Sequence, residues 1–122
     1  MGKVWTQAVE RGLCTVAGSF SADATGADLS GGDAYGAGWT AEYVSTGTYD
    51  ITITGTNVYK VVAVSAAVSS GGTATARIVS HKLWATARNV VRLIIMNTSA
   101  AATKLEYQER LEFIIDVDTS AG

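Results

Sequence analysis

The chain has no proline, one cysteine and one histidine in 122 residues. With Cys14 alone there is no internal disulfide, so stability has to come from packing. A zinc site needs three or four Cys, His or carboxylate ligands, and Cys14 with His81 does not supply them. Without proline, turns rest on Gly, Asn, Asp and Ser, and the 13 glycines can provide them. Charge is scarce as well: 16% of residues are charged, against about 25% in an average domain. So few charges imply that part of the surface is covered by protein, through oligomerisation or docking. The nine Lys and Arg are scattered from Lys3 to Arg110 and the net charge is −2, so no basic face is offered to nucleic acid. No apolar run approaches the ~18 residues that cross a bilayer. The opening "MGKVWTQAVERG" lacks the apolar centre of a signal peptide, so synthesis in a cytoplasm and no membrane partner are expected.

What is present is a rhythm of strands. "LCTVAGSFS" (13–21) sets Cys14, Val16 and Phe20 against Thr15 and Ser19. A long Ala/Gly/Asp loop covers 22–38. "WTAEYVS" (39–45) places Trp39, Ala41 and Tyr43 on one face. After a Thr46-Gly47 turn, "YDITIT" (49–54) puts Tyr49, Ile51 and Ile53 on one face and Asp50, Thr52 and Thr54 on the other. "YKVVAVSAAV" (59–68) is apolar on both faces, so a subunit, a loop or a ligand is expected on the side away from the core. "SSGG" (69–72) reads as a hairpin turn leading into a long strand over 73–84. "VVRLIIMN" (90–97) is apolar on both faces except at Arg92, and 99–109 reads as a short helix or a long loop. "RLEFIIDVD" (110–118) turns Leu111, Phe113, Ile115 and Val117 inward. The expected architecture is all-β: one sandwich or jelly-roll domain of seven or eight mainly antiparallel strands over 13–122, preceded by an N-terminal arm or short helix over 1–12.

Chemistry-bearing residues form no convincing constellation. A Cys14–His81 dyad is conceivable because such pairs meet in space, yet Cys14 lies in an apolar alternation where it acts as a small hydrophobe. Asp23, Asp28 and Asp33 recur at intervals of five in a Gly-rich loop and read as solvated turn residues; their spacing matches no EF-hand. Glu112, Asp116 and Asp118 read as the charged outer face of an edge strand. Asn97-Thr98-Ser99 fits a glycosylation sequon by pattern only. Three Trp and five Tyr serve as core or interface anchors, or as a sugar-binding surface. No catalytic residue, metal or cofactor is expected, and the protein is not expected to be an enzyme.

"GSF" (18–20), "GWTAEYVSTGTYDITIT" (38–54), "VYKVVAVSAAV" (58–68), "RNVVRLIIMNTSAAA" (88–102) and "LEFIIDV" (111–117) together give an order that resembles small β-sandwich virion proteins of tailed bacteriophages, of the capsid-decoration (cement) and head-fibre kind. That resemblance implies a homotrimer seated on the major capsid protein, outside the phage head, stabilising the shell. It transfers no active site. The alternative it leaves open is a fibre-knob or lectin-like module that binds a host-surface glycan. Residues expected at an oligomer or capsid interface are Val4, Trp5, Trp39, Val62, Val64, Ala66 and Trp84. The small residues Ala63, Ser65, Ala66 and Ala67 would let subunits approach closely.

Overall fold

The computed structural model describes residues 12–22, 29, 34–70, 77–97, 99–105 and 109–119. Eight strands form among them: β1 (Leu13–Phe20), β2 (Ala34–Tyr35), β3 (Trp39–Ser45), β4 (Thr48–Ile53), β5 (Lys60–Ser70), β6 (Ile78–Leu83), β7 (Val90–Met96) and β8 (Glu109–Asp118). They make two four-stranded antiparallel sheets, β2–β1–β8–β5 and β3–β4–β7–β6. The all-β sandwich expected from the alternation is the observed fold. The expected N-terminal arm, residues 1–11 in particular, lies outside the described residues, and so do Asp23, Asp28 and Asp33.

Alternation explains the core directly. Val16 and Phe20 of β1, and Leu111, Phe113, Ile115 and Val117 of β8, face inward from one sheet. Tyr49, Ile51 and Ile53 of β4, and Val91, Leu93 and Ile95 of β7, face them from the other. A side-chain period of 2 puts each set on one face of its strand. Phe20 meets Tyr49 edge-on at 5.3 Å between ring centroids, and Trp39 meets Phe113 at 4.9 Å with planes 83° apart. These edge-to-face contacts suit the aromatic quadrupole and pin the two sheets together.

Gly18 sits in the inward row of β1, opposite Phe113. The indole of Trp39 lies where a side chain at Gly18 would be: a Cβ there would stand 2.6 Å from Cζ2. The absent side chain therefore makes the slot that lets β3 close onto β1. At the β3–β4 turn, Gly47 has φ +69° and lies hard against the backbone of Thr103, whose nitrogen would be 2.9 Å from an added Cβ. Only glycine takes this conformation in this space at little cost.

Three expectations change, and one left open is decided. The "SSGG" hairpin is not a hairpin: β5 pairs with β8 and β6 with β7, so the chain crosses from one sheet to the other between β5 and β6. A turn signal fixes a reversal of direction, and reversal between sheets satisfies it as well as reversal within one. The strand expected over 73–84 is shorter, with β6 covering Ile78–Leu83; residues 71–76 are outside the described set. β8 is not an edge strand; it lies between β1 and β5. Of the short helix or long loop expected over 99–109, the described residues 99–105 form the loop. The Asn97 side chain accepts hydrogen bonds from the nitrogens of Ser99 (2.9 Å) and Ala101 (3.1 Å), a turn that outcompetes the helical preference of the alanines. It returns the chain to bridge Met96 with Ala102 and to bury Leu105 completely. The sequon asparagine thus has a structural task.

Among the described residues one ion pair joins the two sheets and a second joins neighbouring strands of one sheet. Arg77, just before β6, reaches Glu109 at the start of β8 (3.0 Å) with both side chains almost wholly buried, and donates to the Lys104 carbonyl at 2.8 Å. This links the two sheets and the 99–105 segment at one end of the sandwich. Asp50 accepts two bonds from Arg92 across β4 and β7, at 2.8 and 3.1 Å. That hydrogen bonding raises the Arg92 pKa above its ordinary value. Asp50, on the face of β4 away from the core as expected, is buried under this partner.

Candidate functional site

The two outward faces of the sandwich differ in kind. On the β3–β4–β7–β6 sheet, register aligns Glu42, Asp50, Arg92 and Lys82 in one row across the four strands. That row is charged from edge to edge, acidic on one half and basic on the other. The same sheet also exposes Val44 of β3 and Ile78 of β6.

The β2–β1–β8–β5 sheet has an uncharged row at its centre. Its central row is Ala17, Ile114 and Ser65, in register across β1, β8 and β5. Ile114 is 51% exposed there. Ala67 and Ala63 of β5 extend the same face, one row to either side. Polar groups share this face: Ser65 lies in the row itself, and Glu112 and Asp116 of β8 stand one row to either side of Ile114, each held by a hydroxyl on a neighbouring strand. Thr15 Oγ1 donates to Asp116 at 2.7 Å, and Ser69 Oγ donates to Glu112 at 2.7 Å. Arg110 donates to Ser19 Oγ and stacks on Tyr35, its guanidinium 4.6 Å from the ring centroid. Between Ile114, Ala17, Ser65, Ala67 and the 63%-exposed Tyr35 runs a shallow groove of about 490 Å³. An uncharged centre flanked by polar groups is the anatomy of a protein–protein contact.

The residues expected at an interface fall in three places. Trp39 packs between the sheets against Phe113 and Phe20, and its Nε1 is buried without a partner among the described residues. Val64 and Ala66 also turn toward the core. Val62, at the register shift between Val61 and Ala63, is 53% exposed, and Trp84 is 59% exposed. Val4 and Trp5 lie outside the described residues. The doubly apolar strand is real, but its outward members are Val62, Ala63, Ser65 and Ala67. Ile114, Ala17 and Tyr35 were missed. For Ile114 the signal was present, since it is an apolar residue between the inward-facing Phe113 and Ile115. For Ala17 and Tyr35 only strand pairing places them beside it.

Cys14 lies on β1 and the exposed His81 on β6, in different sheets. Glu112 and Asp116 sit two rows apart with hydroxyl partners of their own. Among the described residues no group of three His, Cys, Asp or Glu is placed to hold a metal ion, and no helix is long and apolar enough to cross a membrane.

No protein family, curated protein or solved structure matches the chain.

Proposed function

We propose that this is a structural protein that works through contact: a virion protein of the capsid-decoration kind, which binds the outside of a phage head as a homo-oligomer and stabilises the shell. The observation that supports the reading is the outer face of the β2–β1–β8–β5 sheet. Its central row, Ala17, half-exposed Ile114 and Ser65, is uncharged, and the carboxylates on either side of it, Glu112 and Asp116, are each hydrogen-bonded to a hydroxyl. Copies of the chain are its occupant in this proposal, three around an axis as the resemblance to decoration proteins implies. Small side chains bring the sheets close, and symmetry repeats each contact. Covering the exposed half of Ile114 gains roughly 1 kcal/mol per copy, half the full transfer value of such a side chain. The decorated shell gains contact area across joints that carry internal pressure.

Light scattering on the purified protein, followed by co-sedimentation with undecorated heads of a phage that encodes it, tests both parts. A mass three times that of the chain, and saturable binding to heads, are expected. A stable monomer that stays in the supernatant would sink the proposal. A second reading, a fibre-knob module for a host-surface glycan, is favoured by one observation, the exposed Tyr59, Arg88 and Trp84 cluster at one end of the sandwich.

A further inference from the structure

One end of the sandwich carries a strained and exposed tryptophan. Trp84 follows β6 directly and has φ +56°. Left-handed backbone is costly for any residue with a Cβ, and a bulky residue takes it only where its surroundings impose it. Burial does not impose it here, since the side chain is 59% exposed. Beside it lies Arg88, whose guanidinium is 5.5 Å from the Trp84 ring and 5.7 Å from the ring of Tyr59. The three come from separate connections: Tyr59 just before β5, Trp84 just after β6, Arg88 just before β7.

The supports of this cluster are rigid. The Tyr59 nitrogen donates to the Asp118 carbonyl at 2.8 Å, at the end of β8. The turn that carries Arg88 closes through Val90 N to the Ala87 carbonyl at 3.2 Å. Asn89 beside it exchanges hydrogen bonds with Ile53, its side chain donating to that carbonyl at 3.0 Å and its own carbonyl accepting from that nitrogen at 2.9 Å. Arg88 has no carboxylate within salt-bridge distance among the described residues. The cluster is thus two partly exposed aromatic rings with a cation lying between them. Backbone strain persisting at an exposed side chain points to a function for that side chain.

From this geometry we infer that Tyr59, Arg88 and Trp84 form a binding site for an acidic sugar. The apolar face of a pyranose ring stacks on an exposed indole, and a guanidinium with free N–H groups takes a carboxylate in a two-pronged, charge-assisted contact. One cation in a chain of net charge −2 does not suit a polyanionic nucleic-acid strand. The inference rests on the second reading above for its sugar, and it stands or falls independently of self-association.

Saturation-transfer NMR and tryptophan fluorescence, with trigalacturonate and sialyllactose as probes, test it. The methyl ester of trigalacturonate, lactose and sodium acetate are the controls. At least one of the two acids is expected to bind, and its neutral counterpart at least tenfold more weakly. Trp84→Ala and, separately, Tyr59→Ala should each weaken binding tenfold or more. Arg88→Gln should abolish the preference for the acid. Ile114→Asp, on the distant sheet face, should leave binding unchanged even if it dissociates the oligomer, which separates failure of this site from failure of the contact surface. Urea unfolding establishes that each variant is folded. The inference is overturned if neither acid binds, if folded Trp84→Ala binds as the parent does, or if acetate displaces the sugar at equal concentration.

Discussion

Replacing Gly18 with alanine sets backbone preference against packing, and the structure decides the sign. In a strand, alanine is favoured over glycine by roughly 0.5–1 kcal/mol because it loses less backbone freedom on folding. On that ground alone Gly18→Ala stabilises. The new methyl, however, points into the slot filled by Trp39 and would stand 2.6 Å from Cζ2. The indole has nowhere to go: Phe113 packs edge-on at 4.9 Å and Phe20 lies at 6.0 Å. Forcing a methyl into a filled core costs about 1–3 kcal/mol. The expected net effect is a loss centred near 1 kcal/mol and reaching about 2.5 kcal/mol, the packing cost less the backbone gain. For a chain of this length that lowers Tm by about 4–8 °C. Urea unfolding followed by tryptophan fluorescence, at fixed protein concentration, measures it. Trp39→Phe in the same background should return part of the loss, because the smaller ring vacates the slot and the unpartnered Nε1 disappears. A double-mutant cycle should therefore show coupling above about 0.5 kcal/mol. Either a more stable Gly18→Ala or strict additivity with Trp39→Phe would refute the packing argument.

Arg77→Met removes the cation paired with the buried Glu109 carboxylate and should cost about 3–5 kcal/mol in a urea titration, whereas Arg77→Met with Glu109→Met should lie closer to the parent than the single variant. Gly47→Ala places a Cβ at φ +69° against the Thr103 backbone and should lose more than the ~1–2 kcal/mol of left-handed strain alone, read as a fall in Tm by calorimetry. Ile114→Asp sets a charge in the centre of the proposed contact and should yield a folded monomer by light scattering; an unchanged mass would show that copies meet elsewhere.

Much of the sandwich was legible in the chain itself. "TYDITIT" and "RLEFIIDVD" state which residues face the core, because a period of 2 leaves no other arrangement that buries Tyr49, Ile51, Phe113 and Ile115 together. The contact surface was only half legible. The doubly apolar β5 pointed to a second covered face, yet the residues chosen on it included Val64 and Ala66, which turn inward. The register shift between Val61 and Ala63 changes the phase of the strand, and nothing in the local sequence announces it.

The sequence by itself determined that strands form, where their core faces lie, and that no disulfide supports them. Those are local properties of period, residue type and count. The tertiary structure alone decided which strands are neighbours. It sent β5 and β6 into different sheets despite a turn signal between them. It buried Asp50 beneath Arg92, and it joined Arg77 to Glu109 across the sandwich. It also aligned Ala17, Ile114 and Ser65, from three distant segments, into one uncharged row. The physical reason is common to all of these. Pairing between distant strands depends on the complementarity of whole faces and the closure of the loops between them, and neither is written in any short stretch of the chain.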